Sequence, residues 1–114
     1  MANLDLEPRF DRDGFLLPGV PWNETLARQL ASASGLTALT DDHWRVLEYM
    51  RAHYCSVRAL PVTHTLCREL GLGEHCVEKL FGNDLKRPWR IAGLPNPGEE
   101  AKAYMGQKSS SDRL

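Results

Sequence analysis

The chain has 114 residues, 42% of them hydrophobic and 25% charged, and its formal net charge is −1. This is one domain of ordinary globular composition, large enough to bury a core without metal or disulfide support. The near-neutral charge excludes bulk coating of nucleic acid. No apolar run approaches the roughly 20 residues of a membrane-spanning helix. Residues 1–8 carry Asp5 and Glu7 and lack the apolar core of a secretion signal. The expectation is therefore a cytoplasmic protein whose three cysteines, Cys55, Cys67 and Cys76, are reduced.

Charge is uneven along the chain. Residues 1–42 carry seven acids and three bases, residues 43–94 five acids and eight bases, and residues 95–114 three of each. The mildly basic middle concentrates Lys86, Arg87 and Arg90. Two readings apply: a solvated surface, or a docking patch for an acidic partner or a phosphate backbone.

In chain order, Arg9-Phe10 and Phe15-Leu16 flank Asp11-Arg12-Asp13-Gly14, which predicts a small β-hairpin turning at Gly14. Pro18-Gly19-Val20-Pro21 then breaks the strand. A helix is expected over about 23–34, with Asn23 as N-cap, Leu26, Ala27 and Leu30 on one face, and Gly35 as its stop. Thr40 caps a second helix whose first turn holds Asp41 and Asp42. Its stripe is His43, Val46, Leu47, Met50 and Tyr54, and it should end near Tyr54 or Cys55.

Pro61 is placed as a first-turn residue of a third helix carrying Val62, Leu66 and Leu70 and capped by Gly71. A fourth short helix should start at Gly73 and run through Val77 and Leu80. Pro88 restricts any further helix to about 89–92. Gly93-Leu94-Pro95-Asn96-Pro97-Gly98 predicts an extended, exposed arm. A weak helix is possible over 99–105, with disorder past about Gln107. The fold class is mainly α: a small orthogonal helical bundle with an N-terminal β-hairpin, a helix-turn-helix-like pair and an extended C-terminal arm.

Residues able to do chemistry do not assemble into a recognisable site. His64, Cys67, His75 and Cys76 lack a CxxC pair, and His75 and Cys76 face different ways on a helix, so no metal is expected. Cys67 and Cys76 read as small apolar core residues. Cys55, near a helix end with Arg51 and Arg58 close in sequence, reads as the more exposed thiol. His43 beside Trp44 reads as a packed histidine bonded to backbone. There is no GxSxG, no GxGxxG, no GxxxxGK[ST] and no paired carboxylates of glycosidase type. No catalytic residue, cofactor or small-molecule cofactor site is expected. The helix–linker–helix over 41–71 is compatible with a DNA-reading pair, with Thr63, His64, Thr65 and Arg68 as its readers, or with structural helix pairing.

Asp42-His43-Trp44-Arg45-Val46-Leu47, Met50-Arg51-Ala52-His53-Tyr54, Pro61, Leu80-Phe81 and above all Ile91-Ala92-Gly93-Leu94-Pro95-Asn96-Pro97 resemble the DsrC/TusE/DsvC family of sulfur-relay proteins. That family includes the gamma subunit associated with dissimilatory sulfite reductase. Asp13-Gly14-Phe15-Leu16 and Trp22 fit its N-terminal pattern, and the resemblance spans about residues 10–98. It implies a helical bundle with an N-terminal hairpin and a mobile C-terminal arm. It divides the chain into a domain at 1–98 and a tail extension at 99–114.

The resemblance also implies cysteines on the arm, one three residues after the second motif proline and, in some members, one just before the motif. Here those positions hold Glu100 and Trp89. A persulfide carrier needs a thiolate, which neither residue supplies. The sequence therefore points to a non-catalytic binding or regulatory partner of sulfur-relay or sulfite-reductase-type proteins. Arg51, Lys86, Arg87, Arg90, Gly93, Leu94, Pro95 and Pro97 are its partner-facing residues. The alternatives are a DNA-binding regulator and a sulfur carrier using a non-family thiol such as Cys55.

Overall fold

Side-chain caps set where the first two helices begin. The computed structural model describes residues 9–99 and 101–103. Asn23 accepts the Leu26 N–H at 2.8 Å and starts α1, Glu24–Ala33. Thr40 and His43 form a reciprocal cap at the start of α2, Asp41–Val57. The Thr40 N–H donates to His43 Nδ1 at 3.0 Å, which places the ring proton on Nε2, and Nε2 reaches the Leu80 carbonyl at 2.8 Å. One buried imidazole thus caps its own helix and ties it to α4, Cys76–Phe81. The other helices among the described residues are α3, Thr63–Leu70, and α5, Lys86–Ile91.

The core lies where α2 meets α3, α4 and α5, with α1 packed on α5. Val46, Leu47 and Met50 of α2 are buried against Leu66, Val77, Phe81, Trp89 and Ile91, with Phe15 covering them from the N-terminal loop. Tyr54 is half-buried and stands edge-on to Trp89, ring centroids 5.6 Å apart. The expected α2 stripe therefore faces the core.

Several boundaries differ from expectation for identifiable reasons. The β-hairpin does not form as strands: a single antiparallel bridge pairs Phe10 with Leu16. The Asp11 side chain takes the N–H groups of Asp13 and Phe15, curling the segment into a side-chain-capped turn, and Pro18 has no N–H to extend a ladder. Helix α2 runs past Cys55 to Val57 and stops where Arg58 turns left-handed, φ 57°. Pro61 lies ahead of α3, whose N-cap is Val62. Helix α4 begins only at Cys76 because His75 is left-handed, φ 63°. Helix α5 begins before Pro88, which sits in the first turn where its missing N–H costs nothing.

The cysteines bring a further correction. Cys67 and Cys76 are both buried, as expected of core residues, but they are joined in a disulfide with Cα atoms 5.7 Å apart. The turn between α3 and α4 brings them together. Cys55 is the free, exposed cysteine. Helical backbone returns at residues 99 and 101–103. The disorder expected past Gln107 concerns residues outside those described. No helix among the described residues is long and apolar enough to cross a membrane.

Replacing Thr40 by Ala removes the side-chain half of the α2 cap. It should lower unfolding free energy by about 1 kcal/mol, read as a reduced urea midpoint with an unchanged denaturant slope.

Candidate functional site: the root of the C-terminal arm

The end of α5 is where the sequence-predicted residues converge. A helix leaves its last carbonyls without intrahelical partners. Here each one is accounted for. Ala92 N–H returns to Pro88 O, Leu94 N–H to Trp89 O and Gly93 N–H to Arg90 O. The Ile91 carbonyl accepts Trp22 Nε1–H at 2.9 Å, and the Ala92 carbonyl accepts Arg51 Nη1–H at 2.7 Å. The Arg51 guanidinium also lies 4.0 Å from the centroid of the Trp22 ring, so cation and indole reach the same helix end as one stacked unit. Burial lowers the Arg51 pKa from the usual arginine value, although a guanidinium stays charged at any physiological pH.

Gly93 sits against this pair. Its φ is 72°, and a Cβ built there would fall 2.2 Å from Trp22 Cδ1. Glycine is required twice, for the left-handed turn and for the close approach of the indole.

The next residues fold back. Trp89, 1% exposed, donates its Nε1–H to the Pro95 carbonyl at 2.7 Å, and Leu94 is buried. Pro95 and Pro97 are half-buried, so the start of the arm is packed on the body instead of extending freely into solvent. Beside it an open cavity of about 420 Å³ is lined by Leu17, Val20, Tyr54, Arg58, Pro95 and Asn96 among others.

The basic cluster divides. Arg87 donates Nη1–H to the Phe81 carbonyl at 2.9 Å. Arg90 lies 5.0 Å from the Phe15 ring centroid, with its Nε buried and unpaired. The half-buried Lys86 opens α5, its backbone N–H held by Asp84. Arg51 thus joins Gly93, Leu94 and Pro95 at the arm root, while Arg87 and Arg90 brace the body under it.

Sequence reasoning missed a second set of contacts. Asn96 Nδ2 donates to Asp11 Oδ2 at 2.8 Å and to Asp13 Oδ2 at 3.1 Å. Lys102 Nζ pairs with Asp13 and, at 3.0 Å, with Glu99. The hydrogen bond from Lys102 holds the Asp13 carboxyl below its ordinary range, and the same bond raises the Lys102 pKa. Burial pushes Asp11 up, but hydrogen bonds from Asn96 and from the Phe15 and Asp13 N–H groups outweigh it and leave the pKa lowered. A DG turn and an isolated lysine carry no local sign of this pairing across the whole chain.

Elsewhere the arrangement is plainer. Among the described residues no group of three His, Cys, Asp or Glu side chains is placed to hold a metal ion. Helix α3 carries Arg68 as its one base with Glu69 beside it, and Tyr49 donates its hydroxyl to Glu69 at 2.9 Å. Such a surface does not support a DNA partner. Glu100 lies outside the described residues.

Comparison with known proteins gives a consistent result. The family described as "DsrC like protein" matches residues 4–99. A protein named sulfurtransferase TusE homolog from Haemophilus influenzae is 32% identical over 108 residues, covering 87% of this chain and 98% of its own. Sulfurtransferase TusE of Pectobacterium atrosepticum is 34% identical over 95 residues, covering 76% of this chain and 86% of its own. Among solved structures, the oxidized gamma-subunit of the dissimilatory sulfite reductase (DsrC) from Archaeoglobus fulgidus superposes with a TM-score of 0.67 at 30% identity. It covers 80% of this chain and 90% of that one. The DsrC/gamma subunit from Pyrobaculum aerophilum gives a TM-score of 0.66 at 25% identity, covering 79% and 83%.

Gly93→Ala should destabilise the protein by about 2 kcal/mol or more, from the left-handed backbone and the collision with Trp22. The check is a lowered thermal midpoint with altered tryptophan fluorescence. The Asp13–Lys102 contact should respond to pH from both sides. Asp13, with a lowered folded pKa, contributes stability above the ordinary carboxylate pKa of about 3.9 and loses it as pH falls through the folded value. Lys102, with a raised folded pKa, contributes below the ordinary value of about 10.4 and loses it as pH rises through the folded value. Protection factors for amide exchange at residues 98, 99, 101 and 102, taken against the intrinsic rate at each pH, should stay high between those limits and fall outside them, and Lys102→Met should abolish the plateau.

Proposed function

Because this chain belongs to the DsrC-like family, we propose that it acts as a non-catalytic binding or regulatory partner in a sulfur-relay or sulfite-reductase-type system. The observation carrying this reading is Trp89. It stands where the family resemblance places an arm cysteine, and its indole is buried and bonded to Pro95, the arm's own backbone. An indole cannot form a persulfide or a mixed disulfide, and neither can the glutamate at position 100. A position that holds a reactive cysteine in some family members is a packing element in this chain.

In this reading the domain over 1–98 keeps the family's docking shape. Arg51, Lys86, Arg87, Arg90, Gly93, Leu94, Pro95 and Pro97 form or brace the surface offered to a partner, and residues 99–114 are an addition to it. The chain competes with a thiol-bearing relative for the same sulfur-relay or sulfite-reductase-type protein. Contact with such partners fits a cytoplasmic site of action.

A second reading rests on Cys55, a free thiol exposed on α2 one turn after Arg51. It makes the chain a carrier with a displaced thiol.

One experiment separates them. The intact mass of the chain is measured before and after incubation with polysulfide or a persulfide-donor enzyme, with peptide mapping and with pull-downs of the unmodified chain against sulfur-relay proteins. The expected outcome is no stoichiometric gain of sulfur at Cys55, and partner binding that survives Cys55→Ser. One sulfur gained at Cys55, removed by reductant and passed to an acceptor, would overturn the non-catalytic reading.

A further inference from the structure

The Cys67–Cys76 disulfide matches no family motif cysteine, yet side chains able to hold or move a proton lie around it. Cys67 borders two open cavities, one of about 240 Å³ and one of about 250 Å³, while Cys76 lines neither. The first is walled by Thr63, His64, Glu74, His75 and Glu78 in addition to Cys67, so acid–base side chains surround the side from which Cys67 is approached, although both cysteines are only 2% exposed. His75 Nδ1 lies 3.9 Å from Glu78 Oε2.

The ring the disulfide closes is short, with a sequence separation of 9, and it contains three left-handed residues: Gly71, Gly73 and His75. The last is not glycine and directly precedes Cys76. A non-glycine residue held there is a small store of backbone strain that the closed ring keeps in place.

We propose that Cys67–Cys76 is a thiol–disulfide exchange site whose substrate is a dithiol reductant, and that Cys67 is the sulfur attacked. A thiolate of the incoming dithiol enters from the cavity and bonds to Cys67 Sγ. The Cys67–Cys76 bond breaks, and its electron pair leaves on Cys76 as thiolate, which takes up a proton. The second thiolate of the reductant then attacks its own sulfur in the mixed disulfide and expels Cys67 as thiolate, which is protonated in turn. Two electrons and two protons pass to the protein, and the reductant leaves as a disulfide. Opening the ring frees the α3–α4 turn from its covalent constraint. This site is independent of the arm and of the function proposed above.

The test uses the full chain carrying Cys55→Ser, purified in air. It is incubated with dithiothreitol without denaturant, trapped with iodoacetamide and mapped by mass spectrometry. The expected result is labelling of both Cys67 and Cys76 in the native state, and re-formation of the pair on addition of oxidised dithiothreitol. Protection of both sulfurs until denaturant is added would make the disulfide purely structural and overturn the proposal, as would two free thiols in the air-purified chain. The more accessible sulfur is identified by exchange with oxidised glutathione, whose own disulfide supplies the oxidising equivalents and releases one glutathione thiol. Cys55→Ser/Cys76→Ser should form its mixed disulfide at Cys67 about tenfold faster than Cys55→Ser/Cys67→Ser does at Cys76. Equal or reversed rates would sink the assignment. If a double variant does not fold, reduced glutathione added to the disulfide form of the Cys55→Ser chain decides it: an adduct on Cys67, with Cys76 released as thiol, supports the proposal, and one on Cys76 refutes it.

Discussion

The end of α5 is held by a donor from each of two distant parts of the chain, and the rest of the architecture is arranged around that constraint. Trp22 arrives from the loop before α1 and Arg51 from the middle of α2. Each satisfies a carbonyl that the helix itself leaves open, and the guanidinium stacks on the indole that Gly93 admits. An unpaired buried carbonyl costs about 1–3 kcal/mol, so this closure is a condition for burying the helix end at all. Trp89 then uses the same termination to turn the chain back on itself, through its bond to Pro95. The arm therefore leaves the body at one place and in one direction.

The same termination explains which parts of the fold were readable in advance. Helix ends at Gly35-Leu36, Gly71-Leu72 and Gly93-Leu94 use one device, a left-handed glycine followed by a leucine whose N–H returns to the helix. Glycine followed by an apolar residue is a local signal, and so is a side-chain cap such as Asn23 or Thr40. The ends at Gly35 and Gly71 and the caps at Asn23 and Thr40 were legible, as was the apolar stripe of α2, whereas Gly93 read as the start of the arm. The N-terminal hairpin was not, because Asp11 bonds to its own segment and takes N–H groups that strand pairing would need. The late start of α4 was hidden too, since it depends on a left-handed histidine, and so was the disulfide, which needs the α3–α4 turn that brings its Cα atoms together.

Of the site, the motif residues were visible as a string but their roles were not. Gly93 read as part of a flexible arm, whereas it is a contact surface for Trp22. Arg87 and Arg90 read as a shared basic patch, but each lies against a different group of the body. Sequence proximity places charges on a short helix; only the packing decides which of them face solvent. Trp89 shows the converse. A residue noticed for the sulfur chemistry it cannot perform supplies the largest fully buried side chain of the core.

The bond between Asp13 and Lys102 spans 89 residues. It joins the first described turn to the segment beyond the arm, so the described chain closes almost into a circle. Closing so large a loop is entropically the most demanding step for any single contact, while the contacts among α2, α3 and α4 are comparatively local. Loop-closure entropy on its own favours an order from the middle outward, with local helix contacts made before the two flanking segments meet. A backbone whose described flanks meet in this way, at Asp13 and Lys102, has a geometry suited to circular permutation, with a linker joining those flanks and new ends opened in an exposed stretch such as the one between α1 and α2.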